Sequence, residues 1–240
     1  MFFINNLPKS LKPKFKFDLI RVGRNNDGGY LLGLNTLKNT KTLISIGIND
    51  DWSFERHFKE MNRSCKISMF DDKLNISFLI KKFFFVKYLK LKLDTIKNIY
   101  NYIFFVKNKF TKKKVNREKF KSIIRNYQKD IFLKIDIEGD EYFLLKEIIF
   151  FKKRFIGLII EFHSVDENIE IVENFIKEMK FSVTNIHINN FMNFGKCLIP
   201  KCIEITLEKN PKITNYSFIE ESNLNEKNNI YKKYQRIFFK

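Results

Sequence analysis

The sequence predicts an α/β protein with a doubly wound sheet that is mostly parallel and ends in an antiparallel hairpin. Apolar runs of strand length recur along the chain, and helical patterns separate most of them. Strands that are apolar throughout and alternate with helices indicate a parallel sheet covered on both faces. The last two runs have no helix between them, which indicates an antiparallel pair.

The first elements lie in residues 21–70. The stretch RVGRNNDGGYLL contains an Asp-Gly-Gly turn, and it is compatible with a plain hairpin or with a ligand clamp. Strands are expected at 43–48 and 66–70. A helix at 53–62 lies between them, and Asp50 or Asp51 could cap its N-terminus.

The later elements begin with a strand at 131–137, which Gly139 ends before a helix in DEYFLLKEIIFF. Further strands are expected at 156–162, 181–188 and 202–207. Ser164 and Glu167 have the S-x-x-E spacing of a capping box. Apolar residues at i, i+3, i+4 and i+7 behind it predict a helix at 166–180.

Most of the positive charge lies in one segment. The chain has a net charge of +18, and residues 73–129 contain fifteen Lys and two Arg against two acids, which gives +15. Helical patterns are clear at 74–89 and 93–108, and a helix near 117–128 fits the sequence, but the strand expected here is hard to place. We therefore predict one domain, 1–240, with a basic helical insert at about 74–129 and a C-terminal extension at about 209–240.

The basic insert has two interpretations. It favours an anionic partner, such as nucleotide phosphates, an acidic glycan, nucleic acid or a membrane surface. It is equally compatible with a solvated helical surface in a sequence of biased composition.

Several classes of protein are not expected. The three cysteines give neither a disulfide framework nor a zinc-binding spacing. The N-terminal stretch does not resemble a signal peptide, and three lysines interrupt the apolar stretch 76–89. We expect a cytoplasmic location, with peripheral contact at the inner membrane face as an option for the basic insert.

Polar residues follow the predicted strands, where ligands bind in open α/β sheets. Asp71 is suited to a ribose hydroxyl or to a turn. Asp136 and Glu138 share one face if their strand continues, and two carboxylates in a dry site repel unless a cation or a base role balances them. Glu161 and His163 share a face too, as suits a divalent cation or acid–base chemistry, although a lone His is often structural. Asp140 and Glu141 suit the first turn of a helix.

Together, these stretches resemble the FkbM family of S-adenosylmethionine-dependent methyltransferases. The matching pieces are RVGRNNDGGYLL, SIGINDDWSFE, MFDD, FLKIDIEGDE, IIEFH and IHINNF…IP..IEITL. They occur in the expected order from about residue 20 to 208, and KIDIEGDE is the most specific. The resemblance implies a class I, Rossmann-like methyltransferase with seven strands, the last antiparallel.

The resemblance also implies roles for individual residues. Glu138 would be the catalytic base, with Asp136, Glu161 and His163 orienting the acceptor directly or through a metal ion. Related sugar O-methyltransferases hold a divalent metal at the fourth and fifth strands, which here suggests optional Mg²⁺ on Asp136, Glu161 and His163. The cofactor-binding residues would be Gly47, Asn49, Asp50, Glu55, Asp71, Asp27, Gly29 and Tyr30, with Asp71 at the ribose.

The expected function is O-methylation of a sugar hydroxyl on a surface glycan or its nucleotide-linked precursor. One departure from the family is Asp72, which stands where a proline often follows the aspartate of the second strand; the other is the length of the basic insert. A non-catalytic scaffold on a methyltransferase fold is an alternative. A nucleic-acid methyltransferase ranks lower, because no N/D-P-P-Y-type motif follows the fourth strand.

Overall fold

The computed structural model describes residues 5–74, 84, 96, 99–100, 102–106, 109–192, 195, 198–216, 222, 224–235 and 237–239. The strands are β1 (Asn5–Leu7), β2 (Lys16–Phe17), β3 (Leu19–Val22), β4 (Tyr30–Gly33), β5 (Thr42–Ile46), β6 (Lys66–Asp71), β7 (Phe110–Lys112), β8 (Ile131–Ile135), β9 (Phe155–His163), β10 (Ser182–Ile188), β11 (Cys202–Glu208), β12 (Ile213–Asn215) and β13 (Ile237–Phe239). The α-helices are α1 (Leu34–Asn39), α2 (Ser53–Met61), α3 (Arg117–Arg125), α4 (Leu145–Phe150) and α5 (Val165–Met179). Short 3₁₀ helices span Lys9–Leu11, Asp140–Leu144 and Lys152–Arg154, and Tyr102–Val106 forms a π-helical turn.

Seven strands form the central sheet in the order β10-β11-β9-β8-β5-β6-β7. Strands β5 to β9 pair in parallel, whereas β11 runs antiparallel to both β9 and β10. The predicted doubly wound sheet with a terminal antiparallel hairpin is therefore confirmed. The chain order reverses between β5 and β8, which is where such sheets bind ligands.

Apolar strand residues pack on both faces of the sheet. Every residue of β5 and β8 is buried, as expected for strands with helices on both sides. Helix α2 buries Phe54 and Phe58 in one core cluster, and α5 buries Val172 and Phe175 in another. Fully burying one such side chain stabilises the fold by about 1.5–3 kcal/mol.

The strand that was hard to place within the basic segment is β7, which extends the sheet beside β6. Helix α3 confirms the helix predicted near 117–128, and the side chain of Asn116 accepts a hydrogen bond from the amide of Lys119 at its N-terminus. The helices predicted at 74–89 and 93–108 lie largely outside the described residues. No helix within the described ranges is long and apolar enough to cross a membrane.

Two local predictions are wrong. The strand predicted at 131–137 ends at Ile135, because the chain leaves the sheet after the Asp136 amide bonds to the carbonyl of Ile46, and Glu138 adopts a left-handed φ of 56°. Ser164 precedes α5 with a φ of 50°, and its side chain makes no capping hydrogen bond, so there is no capping box.

The C-terminal strands pair with strands near the N-terminus, β12 with β2 and β13 with β1.

Candidate functional site

A cavity of about 520 Å³ lies at the carboxyl ends of β5, β6, β8 and β9. Its volume is in the range of cofactor and small-molecule sites. The loop between β3 and β4 closes one side through Asp27, Gly28 and Tyr30, and Phe191 and Met192 form an apolar wall on another. Polar groups from several strands therefore face one space, as the sequence predicted.

The β5 end of the cavity is built from backbone. Gly47 has a φ of 80°, and a Cβ atom there would lie 1.6 Å from the carbonyl oxygen of Asp136. The amide of Gly47 donates to the carbonyl of Phe70, and its own carbonyl accepts from Lys134 Nζ at 3.3 Å. Glycine is therefore required here by both conformation and close approach.

Asp71 organises the adjoining turn at the end of β6. Its Oδ2 accepts from the amide of Asn49 at 2.9 Å, and its Oδ1 accepts from the amides of Lys73 and Leu74 at 2.7 and 2.9 Å. Asp71 therefore stabilises the turn through these three hydrogen bonds, which is one of its two predicted roles. A carboxylate has about four lone-pair sites, so the ribose role predicted for Asp71 stays open. Asp50 also lines this end of the cavity.

The β3–β4 loop contributes side chains and a tight turn. Asp27 lines the cavity and accepts from Asn228 Nδ2 at 3.2 Å, and burial raises the pKa of its carboxyl. Gly29 belongs to the turn rather than to the cavity lining, since a Cβ there would lie 1.8 Å from the carbonyl oxygen of Arg24. The hairpin interpretation is confirmed, and the loop also covers the cavity.

Tyr30 joins two acids at the cavity floor. Its hydroxyl lies 3.3 Å from Asp136 Oδ2 and 3.4 Å from Glu161 Oε2, close enough to donate to either. Burial raises the pKa of both carboxyls. The buried ammonium of Lys134 partly offsets these charges and lies 5.4 Å from the centre of the Tyr30 ring.

His163 is held by a buried carboxylate. Glu141 Oε1 accepts from the backbone amide of His163 at 2.7 Å and lies 3.3 Å from Nδ1, while Glu141 Oε2 accepts from the amide of Gly139. Burial alone would lower the pKa of His163, but the hydrogen bond and charge of Glu141, with Asp136 and Glu138, raise it. The other ring nitrogen, Nε2, is thereby directed toward Glu138 and Glu161, at 3.5 and 3.7 Å.

Glu138 lies at the mouth of the cavity. Its side chain is 69% exposed, and the left-handed turn, rather than strand alternation, brings it close to Asp136. Ligand atoms of Asp136, Glu138 and His163 lie within 4.8 Å of one another.

A second set of ligand atoms contains a cysteine. Cys202 of β11 lies opposite His163 of β9 in the antiparallel register, and its thiol donates to Glu161 Oε1 at 3.2 Å. The atoms of Glu161, His163 and Cys202 also lie within 4.8 Å of one another. The predicted metal ligands Asp136, Glu161 and His163 are thus divided between two sets that share His163.

Glu55 does not line the cavity. Its carboxylate is fully buried under the sheet, where it accepts from Ser45 Oγ at 2.5 Å and lies 3.9 Å from Lys134 Nζ. Lys134 and Cys202 had no predicted site role, and Glu141 was predicted only as a residue of a first helical turn. The local indication in the sequence is Lys134 itself, a charged residue within the otherwise apolar strand β8.

Comparison with known proteins gives structural neighbours only. No protein-family model matches the chain, and no curated protein matches it. A precorrin-6y C5,15-methyltransferase from Geobacter metallireducens aligns with 74% of this chain and 85% of its own, at 13% identity and a TM-score of 0.40. The fibrillarin pre-rRNA processing protein of Methanococcus jannaschii aligns over 82% and 84%, at 9% identity and a TM-score of 0.41. An O-methyltransferase from Bacillus cereus, in complex with SAH, aligns over 73% and 77%, at 10% identity and a TM-score of 0.39.

Proposed function

We propose that this protein is an S-adenosylmethionine-dependent O-methyltransferase whose acceptor is a sugar hydroxyl of a surface glycan or its nucleotide-linked precursor. The observation that carries the proposal is the division of one cavity into two unlike ends. One end is a glycine turn with Asp71, and the other is a cluster of carboxylates and an imidazole. The sugar acceptor comes from the FkbM resemblance.

The cofactor would bind at the β5–β6 end. Gly47 lines the cavity and holds the turn after β5 in a left-handed conformation against the Asp136 carbonyl, which shapes this end for a ligand. Asn49, Asp50 and Asp71 provide polar groups beside it, and Asp27 and Tyr30 face the same cavity from the hairpin. When bound, S-adenosylmethionine supplies a methyl group activated on a sulfonium sulfur.

The acceptor hydroxyl would lie at the β8–β9 end, with Glu138 as its base. Glu138 accepts the hydroxyl proton as the oxygen attacks, and its exposure lets the proton pass to solvent. A positioned base typically contributes ~10²–10⁴-fold to the rate. Asp136 and Glu161 offer oxygens that can accept hydrogen bonds from a hydroxyl-rich ligand. His163 Nε2 lies 3.5 Å from Glu138 and would help to position this base.

A magnesium ion is an optional part of this proposal. Mg²⁺ prefers oxygen ligands in octahedral geometry and usually keeps several waters. Asp136 would supply an oxygen and His163 a nitrogen, which leaves Glu138 as the base, and such an ion would polarise the acceptor hydroxyl. Glu161, the third predicted ligand, belongs to the second set of ligand atoms, with His163 and Cys202.

The lysines of the rim support an anionic precursor as the acceptor. Lys73 and Lys113 line the cavity and are exposed, and Lys114 beside them pairs with Asp140 at 2.6 Å. They would face the phosphates of a nucleotide-linked sugar. A cytoplasmic location follows from such a precursor, and the basic insert would supply any contact with the inner membrane face.

The function is tested in the native host by mass spectrometry of its surface polysaccharide. Deleting the gene should remove one methyl group from one sugar, and the wild-type gene should restore it. A gene carrying Glu138→Gln should not restore it, although the purified variant should keep its affinity for S-adenosylhomocysteine. An unchanged polysaccharide in the deletion strain would exclude the glycan acceptor, and a fully active variant would remove Glu138 from the mechanism.

A further inference from the structure

We infer that Glu161, His163 and Cys202 form a three-ligand site for a divalent cation of the zinc class, with its remaining coordination position facing the cavity. The three side chains project from one face of the β9–β11 pair, because His163 lies opposite Cys202 and Glu161 lies opposite Glu204. All three are buried, and all three line the cavity.

Two of the donor-atom distances are close to those of tetrahedral coordination, and all three donor atoms lie within 4.8 Å of one another. Zinc bonds of about 2.0–2.3 Å at tetrahedral angles place neighbouring ligand atoms about 3.3–3.6 Å apart. Glu161 Oε1 lies 3.2 Å from Cys202 Sγ and 3.7 Å from His163 Nε2. Small side-chain shifts would therefore bring the three donor atoms around one ion.

Other residues orient two of these ligands from outside. Glu141 holds Nδ1 of His163, which leaves Nε2 as the nitrogen that faces Glu161. A carboxylate on the far nitrogen is the usual partner of a metal-binding histidine. Asn189 Nδ2 donates to Glu161 Oε1 at 2.8 Å and holds the carboxylate beside the thiol.

The chemistry of the donors selects the ion. A thiolate, an imidazole and a carboxylate together suit zinc or cobalt, whereas Mg²⁺ takes oxygen ligands. On binding, the S–H bond of Cys202 breaks, a metal–sulfur bond forms, and the proton leaves to solvent. Three protein ligands and one open position are typical of catalytic rather than structural zinc. The inference rests on the proposed function only in assigning the acceptor hydroxyl to the open position. An ion in this site would take Nε2 of His163 and would replace the optional magnesium ion, which leaves Glu138 available as the base.

The experiment is a Co²⁺ titration of the full chain carrying Cys65→Ser and Cys197→Ser, so that Cys202 is its only thiol. We expect one equivalent of Co²⁺ to produce a thiolate-to-metal charge-transfer absorption, which Zn²⁺ abolishes and excess Mg²⁺ does not. Adding Cys202→Ser should remove the absorption and weaken Zn²⁺ binding by at least about 100-fold, beyond the typical ~10–100-fold cost of losing an outer-shell partner. Asp136→Asn, which alters a neighbouring acid outside the set, should retain the absorption.

The inference is overturned if saturating Co²⁺ gives no thiolate absorption in the Cys202-only chain, or if Cys202→Ser binds Zn²⁺ as tightly as its parent. Calorimetry with S-adenosylhomocysteine on the same samples separates the two proposals. Cofactor binding without the absorption removes only the metal site. The absorption without cofactor binding removes the methyltransferase proposal and leaves the metal site in place.

Discussion

The two ends of the cavity differ in the groups that form them: one is formed mainly by backbone and the other mainly by side chains. At the β5–β6 end, Gly47 and Asp71 act through backbone. Gly47 permits the close approach of the Asp136 carbonyl, and Asp71 accepts three amide hydrogen bonds. At the β8–β9 end, side chains contact side chains, and burial shifts the pKa values of Asp136 and Glu161. The first end shapes a space that a ligand can enter, whereas the second holds groups that can take up or release protons.

This contrast explains why the two ends should respond differently to substitution. At the end formed by backbone, a substitution that disturbs the backbone geometry should lower both the free energy of unfolding and the affinity for a ligand. The side-chain-built end contains carboxylates that are costly to bury, so conservative changes there should alter protonation more than folding. Four substitutions test this division.

Gly47→Ala should have the largest effect. The added Cβ would overlap the carbonyl oxygen of Asp136, and the φ of 80° is unfavourable for alanine. We expect a loss of about 3 kcal/mol or more in the free energy of unfolding, measured by urea denaturation. Gly139→Ala is the matched control, because Gly139 also has a positive φ but has no atom within 4 Å of the added Cβ. Equal losses in the two variants would contradict the close approach at Gly47.

Asp71→Ala should have the next largest effect. It leaves the amides of Asn49, Lys73 and Leu74 without their carboxylate acceptor. We expect a loss of about 2–3 kcal/mol in unfolding free energy, together with weaker binding of S-adenosylhomocysteine. The exposed neighbour Asp72 provides the control, and Asp72→Ala should change stability by less than about 0.5 kcal/mol. If Asp71→Ala bound the ligand as well as the wild type, Asp71 would have no part in the cofactor site.

Glu141→Gln should change the titration of His163 more than the fold. In the native protein, Glu141 helps to raise the pKa of His163 above its unfolded value, so the resulting stabilisation is full below the unfolded pKa and disappears as pH rises through the folded pKa. The variant should therefore lower the pKa of His163 and lose about 1 kcal/mol of stability below about pH 6.5, with a smaller loss in alkaline solution. Nuclear magnetic resonance titration of the three histidines measures this directly. An unchanged titration of His163 would mean that Glu141 does not control its charge.

Tyr30→Phe should have the smallest effect. The hydroxyl bonds to Asp136 and Glu161 are long, at 3.3 and 3.4 Å, and the ring would keep its edge-to-face contact with Phe54. We expect a loss of about 0.5–1.5 kcal/mol in unfolding free energy. A loss as large as that of Gly47→Ala would show that the two acids depend on this hydroxyl far more than its geometry suggests.

The sheet and the β5–β6 end were predictable because their determinants are local. Apolar runs mark β5, β6, β8 and β9 in the sequence. Gly47 directly follows β5, and Asp71 is the last residue of β6. The identity of the side chains that gather at the other end depends on register between distant segments. Nothing near Cys202 in the sequence indicates that it pairs with His163, and Glu141 resembles an ordinary acid in a first helical turn. Glu55 was misplaced because α2 turns it toward the buried Ser45 rather than toward the cavity.

Calorimetric titration of the purified wild-type chain with S-adenosylhomocysteine is the decisive experiment for a cofactor site in this cavity. If the β5–β6 end is a cofactor site, the titration will show saturable binding of one molecule per chain, weakened in Asp71→Ala and unchanged in Glu138→Gln. Absence of binding by folded wild-type protein would contradict the account.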